Sequence, residues 1–189
     1  MIYNSKKNKN GFTLVETMVA ITVLLVAVVG PMSYIGHSVS QIYYSRDQII
    51  ASNLAMEGIE GVRQIRDSNL LQRWIDGTTG AGYSPPSNPR FHDNIYGPPA
   101  CHAQDCIIEM TSVPPVLVVC NGACVGVLNQ NAAGFFTHGA GTPTKFTRLL
   151  KINTVSSDEF RITSTVTWQT SGGATKTVVL SENLFGIND

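Results

Sequence analysis

The sequence contains few charged residues and carries no net charge. Only 14% of its 189 residues are Asp, Glu, Lys or Arg, and the 13 basic residues equal the 13 acidic ones. Charged residues usually make up about a quarter of a soluble domain, so part of this chain is not adapted to water. The balance of charge argues against a basic nucleic-acid-binding protein and against an acidic disordered tail.

The sequence also lacks the common catalytic motifs. It contains no glycine-rich phosphate loop, no His-Glu-x-x-His metal motif and no Gly-x-Ser-x-Gly nucleophile elbow. Its four histidines are scattered along the chain, and isolated histidines of this kind more often lie in loops or on the surface. We therefore predict a protein that is not an enzyme and that needs no cofactor and no metal ion.

Charge is missing above all near the N-terminus. No charged residue occurs from Thr17 to Ser45, and Met18 to Val29 is almost wholly apolar. A membrane-spanning helix needs about 17–25 apolar residues, which predicts a single span at about residues 17–36. No acidic residue occurs among the first eleven, which include three lysines: Lys6, Lys7 and Lys9. The positive-inside rule then predicts a cytoplasmic N-terminus and an exported remainder.

A cleaved secretory signal would also have a basic start and an apolar middle. Two features argue against this alternative. Gly30-Pro31 places a proline where a signal peptidase would need an extended scissile bond. Glu16 lies just inside the apolar segment, where an ionised carboxylate costs up to about 3 kcal/mol in lipid unless it is paired or near the interface.

Residues 11–16, Gly-Phe-Thr-Leu-Val-Glu, lie between a lysine-rich leader and the apolar segment and resemble the N-terminal signature of type IV pilins and pseudopilins. The resemblance implies that a prepilin peptidase removes residues 1–11 by cutting between Gly11 and Phe12, and that Phe12 is then N-methylated. It further implies assembly with other pilin or pseudopilin subunits at an inner-membrane platform. The residues after Glu16 look most like those of a minor pilin.

Glu16 has a physical use in such an assembly. It lies four residues beyond Phe12, about one helical turn away on the same face. The resemblance implies that this carboxylate pairs with the terminal amine of a neighbouring subunit, which would offset the burial of both charges and fix the axial register. The alternative is that Glu16 only favours the start of a helix.

The sequence predicts one long helix over residues 12–74, whose first half is apolar and lies in the membrane and whose second half is amphipathic. In the second half, apolar residues recur at spacings of three or four, namely Ala55, Ile59, Val62 and Ile65. Gly30 and Pro31 should kink the helix, because proline removes a backbone donor. Gly58 and Gly61 suggest that another element packs closely there. Arg63 and Asp67 have the spacing of an ion pair on the outer face.

The exported half reads as a Gly- and Pro-rich loop over residues 75–105 followed by a β-sheet domain over residues 106–189. The clearest strand alternates an apolar face with a polar one, the apolar residues being Phe160, Ile162, Val166 and Trp168. The expected fold class is α+β, with the long N-terminal helix packed on an antiparallel sheet. Phe135 and Phe136 could form an interaction tip, or they could anchor a long loop in the core.

Four cysteines in the exported part predict two disulfides: Cys101, Cys106, Cys120 and Cys124. We favour one bond between the first two cysteines and the last two, with the remaining pair also joined. The alternative is a zinc site with His102 and Asp105, although the spacings are looser than in common zinc motifs.

These features predict a single-pass membrane protein that becomes part of an extracellular or periplasmic filament. The competing hypothesis is a membrane-anchored exported module that binds DNA, a glycan or a surface. With the three leader lysines removed from the thirteen basic residues, ten remain against thirteen acidic residues, which makes nucleic-acid binding unlikely. The sequence would still allow a local basic patch at Lys145, Arg148 and Lys151.

Overall fold

A computed structural model describes residues 11–78, 101, 104–120, 124–156, 159–170 and 172–185. The chain divides into two compact units, with the boundary between Ser45 and Arg46. In the described residues the elements are the helix α1 (Leu14–Thr78) and the strands β1 (Cys106–Glu109), β2 (Val116–Val119), β3 (Val127–Gln130), β4 (Phe136–Thr137), β5 (Thr142–Ser156), β6 (Glu159–Gln169) and β7 (Thr175–Phe185).

The N-terminal unit consists, in its described part, of the apolar beginning of α1. Thr13 lies just before the first helical residue, and its side-chain oxygen accepts a hydrogen bond from the amide of Glu16 at 3.3 Å. The carbonyl of Thr13 accepts the amide of Thr17 at 3.2 Å. Thr13 is therefore the N-cap of α1, and its spacing to Glu16 is that of a capping box.

α1 is long and apolar enough to cross a membrane. Its most apolar 18-residue window has a mean hydropathy of 2.2, and none of that window is buried. The helix continues through Pro31, and the bend at Gly30 and Pro31 stays a prediction. The helix ends at Thr78, four residues beyond the predicted end, and most of the predicted loop over residues 75–105 lies outside the described residues.

The C-terminal unit contains an antiparallel sheet built around β5. One side of β5 pairs with β6 along most of its length, and β6 pairs with β7. The other side of β5 pairs with β1 at Leu150 and with β3 between Thr142 and Thr147. Since β2 pairs with β1 and β4 pairs with β3, two separate hairpins share one side of β5.

The inner face of the sheet packs against the second half of α1. Along β6 the predicted apolar face is buried, and the exposed fraction of Phe160, Ile162, Val166 and Trp168 is at most 3%. The helix buries a matching face, which includes Ala51, Leu54, Ala55, Ile59, Val62 and Ile65. The predicted α+β class, with a long helix packed on an antiparallel sheet, is confirmed.

Two glycines allow the helix to approach the sheet. A Cβ atom added to Gly58 would lie 3.1 Å from Ser164 Oγ, and one added to Gly61 would lie 2.6 Å from Ile108 Cδ1. The second distance is shorter than side chains normally tolerate. The prediction that another element packs closely over these glycines is confirmed.

The disulfide pairing that the sequence favours is wrong. The bonds join Cys101 to Cys106 and Cys120 to Cys124. The register supplies a reason: Val119 lies opposite Cys106, so Cys120 is displaced from Cys106 by one position. A displacement of one residue directs two side chains to opposite faces of a strand pair. With all four sulfurs in disulfides, none remains as the thiolate that the alternative zinc site requires.

Candidate functional site

The predicted cleavage site lies just ahead of α1. Gly11 and Phe12 are not part of the helix, and both are exposed. A Cβ atom added to Gly11 would meet nothing within 4 Å. Among the described residues, the backbone at this bond is therefore exposed and free of packing contacts.

Glu16 lies in the first turn of α1 among exposed apolar side chains. Its neighbours Leu14, Val15 and Met18 are exposed by 61% or more, and Glu16 is also exposed. An ionised carboxylate in such a setting is well solvated by water. Moving it into lipid or into a helix bundle costs free energy unless a cation pairs with it. The arrangement places one acid where a partner with a positive charge would stabilise it.

The helix start and the residues around it match a known family. Residues 6–30 match the family model described as Prokaryotic N-terminal methylation motif. This match supports membership of the type IV pilin family and processing by a prepilin peptidase, and it implies a structural subunit rather than an enzyme. No curated protein and no solved structure gives a significant match. Together with the apolar helix, the motif supports a membrane-anchored protein that is later exported.

In the C-terminal unit, a buried arginine joins the sheet to the second half of α1. Arg148 lies on the inner face of β5 and its side chain is 0% exposed. One guanidinium nitrogen donates to Glu57 Oε2 at 2.9 Å and to the carbonyl of Leu54 at 3.2 Å, and the other donates to the carbonyl of Ile108 at 3.3 Å. Burial lowers the pKa of Arg148, and the negative charge of Glu57 opposes that shift. The contacts join α1, β5 and β1.

The position of Arg148 argues against the basic patch that the sequence allows at Lys145, Arg148 and Lys151. The charge of Arg148 is buried and paired, so it cannot face a nucleic acid. Lys145 Nζ donates to Asp47 Oδ2 at 2.6 Å, and Lys151 Nζ lies 4.0 Å from Asp105 Oδ1. Each of the three cations therefore has an acidic partner, and the track of unpaired positive charge that DNA binding usually requires is missing from these residues.

Arg63 also has partners other than the predicted one. Its guanidinium contacts the carboxylates of Glu60, one turn earlier on the helix, and Glu182 on β7. Arg66 instead pairs with Asp67, at 2.7 Å. The expected pair of Arg63 with Asp67 is therefore wrong, because the sheet supplies an acid that the helix sequence alone does not reveal.

A carboxylate ties the two hairpins together. Glu109, at the end of β1, accepts hydrogen bonds from the hydroxyl of Thr137 at 2.8 Å and from the amide of His138 at 3.1 Å. It also accepts from the amide and the hydroxyl of Thr111, at 3.1 and 2.8 Å. Because Thr137 belongs to β4, Glu109 links the hairpin β1–β2 to the hairpin β3–β4. We call Glu109, Thr111, Thr137 and His138 the hairpin clamp.

The hairpin clamp contains two titratable groups with shifted pKa values. Burial alone would raise the pKa of Glu109, but the hydrogen bonds from Thr137, Thr111 and His138 outweigh it and lower that pKa. Burial, followed by repulsion from Arg148, lowers the pKa of His138, against the opposing effects of the Val127 carbonyl and of Glu109. The fold thus favours ionised Glu109 and neutral His138.

The C-terminal unit should lose stability in acid in two stages. A lowered pKa means that the unfolded state binds protons first, so stability is complete above the unfolded pKa and falls below it. The free energy of unfolding should therefore decline below about pH 6.5, the ordinary pKa of His138, and again below about pH 4.5, that of Glu109. Urea unfolding of the full chain in detergent between pH 8 and 3.5 measures this. His138→Gln should remove the first decline and Glu109→Gln the second, whereas unchanged profiles in both variants would contradict the assignment.

Proposed function

We propose that the chain is a minor pilin or a type II secretion-like pseudopilin that a prepilin peptidase processes and that then enters a filament. The observation that carries this proposal is the match of residues 6–30 to the methylation motif at the head of an exposed, apolar helix. A soluble globular protein would bury such a helix. A filament subunit needs it first as a membrane anchor and then as a packing surface.

In this proposal the leader and the mature chain have different tasks. The three leader lysines keep the N-terminus in the cytoplasm, and the sheet domain lies outside. The peptidase cuts between Gly11 and Phe12, which are both exposed, and no described residue packs against Gly11. N-methylation of Phe12 follows. The span then holds the subunit in the inner membrane until the assembly platform transfers it to the filament.

Glu16 would select the axial position of each subunit. Cleavage creates a terminal amine at Phe12, one turn from Glu16, so each subunit offers one cation and one anion near the start of its helix. Pairing between neighbours removes two costly charges from an apolar bundle at once, and a buried polar pair is well suited to specifying register. A helix bundle made only of apolar side chains could slide by a turn with little penalty.

The second half of α1 also has a face available to other subunits. Ile49 and Met56 are seven residues apart and are exposed by 62% and 53%, while Ala51, Leu54 and Ala55 between them are buried against the sheet. Apolar residues repeating at seven on an exposed helix face favour helix-to-helix packing. This second, outward-facing stripe fits a subunit that assembles through its helix.

Glu16→Ala should leave leader removal intact but lower incorporation into filaments by at least about tenfold. The reason is that the terminal amine of the neighbouring subunit would be buried without its partner, which costs several kcal/mol. Leader removal is measured by intact mass, and incorporation by quantifying the chain in purified filaments from cells that carry the complete assembly system. Thr17→Ala, which changes the adjacent exposed residue, should incorporate normally. Normal incorporation of Glu16→Ala would remove Glu16 from the mechanism.

A further inference from the structure

The turn between β3 and β4 displays an apolar surface. We call Asn131–Phe135 the β3–β4 tip. Ala132, Ala133 and Gly134 are exposed, and Phe135 is exposed by 68%. The adjacent Phe136 faces the other way, with its ring centroid 6.3 Å from that of Phe146. Only Phe136 thus matches the predicted core anchor, and the ring of Phe135 is left on the outside.

The tip satisfies most of its own backbone. The amides of Ala133 and Phe135 both donate to Asn131 Oδ1 at 3.0 Å. The amide of Gly134 donates to the carbonyl of Asn131 at 2.9 Å, and the amide of Asn131 donates to the carbonyl of Phe135 at 3.0 Å. Gln130 Nε2 donates to the carbonyl of Gly134 at 3.0 Å. Four of the five amide groups in the tip therefore have internal acceptors.

The tip lies in a long uncharged stretch of sequence. From Met110 to Thr144 there is no Asp, Glu, Lys or Arg. His138 is the only group in this stretch that titrates near neutral pH, and its pKa is lowered, so it is neutral there. The tip itself therefore contributes no side-chain charge that would attract a partner of either sign. An anionic surface or a nucleic acid would require basic residues at this position.

These properties specify the chemistry of the partner. A glycan is bound through many side-chain hydrogen bonds, and Gln130 Nε2 and Asn131 Oδ1 already have partners within the turn, which leaves fewer polar atoms for a sugar. A hydrocarbon environment makes the opposite demand, since backbone groups that enter it must already be paired. The strength of interfacial binding also grows with the apolar area that enters the membrane, and an exposed aromatic ring supplies such area. The paired backbone groups and the exposed ring of Phe135 favour the interfacial layer of a lipid bilayer, where the amide of Ala132 can stay in contact with water.

We propose that the β3–β4 tip inserts into the interfacial layer of an electrically neutral lipid bilayer, with Phe135 as its apolar anchor. The inference goes beyond the proposed role in filament assembly and does not depend on it. The turn is preorganised by its internal hydrogen bonds, so insertion orders little additional chain. Asn131 is a positioning residue, because it holds the backbone closed while the ring enters the lipid.

The test measures whether position 135 contacts lipid. The full-length Phe135→Trp variant is reconstituted in phosphatidylcholine vesicles and mixed with a second, protein-free population. A doxyl-labelled lipid that quenches tryptophan is placed first in the anchoring membrane and then only in the added vesicles. The tryptophan at position 135 adds fluorescence to that of the parent chain, and this added fluorescence should be quenched in one of the two arrangements. The arrangement that quenches it identifies the membrane that the tip enters. Absence of additional quenching in both arrangements would overturn the proposal.

Matched variants separate insertion from other contacts. Phe185→Trp changes another exposed phenylalanine, at 57% exposure on the last strand, and it should show no additional quenching. Adding Asn131→Ala to Phe135→Trp should reduce the quenching severalfold, because unpaired amides resist entry into lipid. Quenching should be unchanged by added salt and should need no anionic lipid. If Phe135→Ala instead lowers filament incorporation while Phe135→Trp is never quenched, the tip contacts another subunit and the proposal is wrong.

Discussion

Gly11→Trp should abolish removal of the leader, leaving a chain that begins at Met1. The resemblance to type IV pilins places Gly11 immediately before the scissile bond, where a residue without a side chain lets the backbone extend into the peptidase. A Cβ atom at Gly11 would meet nothing within 4 Å, so the substitution does not disturb the packing of the described chain. A misplaced scissile bond can slow a reaction by about a hundredfold, and a bulky ring displaces it further.

Intact mass after co-expression with a prepilin peptidase measures the effect. The parent chain should yield residues 12–189 carrying one additional methyl group, while Gly11→Trp should yield the unprocessed mass. Gly36→Trp is a matched control, because Gly36 is also exposed and an added Cβ there also meets nothing within 4 Å. Its leader should be removed normally. A fully cleaved Gly11→Trp chain would count directly against processing at this bond.

The periodic part of the fold follows from the sequence because periodicity reports burial. Phe160, Ile162, Val166 and Trp168 alternate with polar residues, and a strand with one buried face leaves no other way to hide them. The same logic identifies the buried face of α1 from Ala55 onward. Glycines also carry spatial information: Gly58 and Gly61 weaken a helix, so their presence indicates a close neighbour, and the sheet lies there.

The details that depend on register could not be predicted in this way. The disulfides follow from the pairing of Cys106 with Val119, and no periodicity in the sequence gives that offset. The strand β4 has only two residues, Phe136 and Thr137, too few to show alternation. The partner of Arg63 on β7 is likewise distant in sequence. Long-range pairs of this kind are fixed by how the elements dock.

Two important residues did leave a signal in the sequence. Thr13 lies three residues before Glu16, which is the spacing of a capping box, and this marks the first turn of α1 more closely than the apolar pattern does. Arg148 lies on β5 between Phe146 and Leu150, at a position where the alternation of the strand directs the side chain into the core. A charged residue at an inward position indicates a buried pair, since an unpaired charge would not be tolerated there. Its partner on the helix still requires the structure.

The consequence is an asymmetry between the two halves of the Arg148 pair. Glu57→Ala should lower the free energy of unfolding by about 3 kcal/mol, because it leaves the cation of Arg148 buried with only carbonyl acceptors. Arg148→Met should cost less than about 1.5 kcal/mol, because an apolar side chain of similar length fills the same space. Glu57 remains 37% exposed and can turn its carboxylate to water. Since the charge of Arg148 cannot reach water, removing its partner Glu57 should destabilise the fold more than removing Arg148 itself.

Urea unfolding of the full chain in detergent at pH 7.5 measures both variants and their combination. Glu57→Ala combined with Arg148→Met should be nearly as stable as Arg148→Met alone, because no buried cation remains to be left unpaired. Glu60→Ala is the control on the same helix: it removes a glutamate that is 61% exposed and should cost less than about 1 kcal/mol. If Arg148→Met proves as destabilising as Glu57→Ala, the guanidinium contributes through its own contacts to Leu54 and Ile108, and the unpaired charge is not the dominant cost.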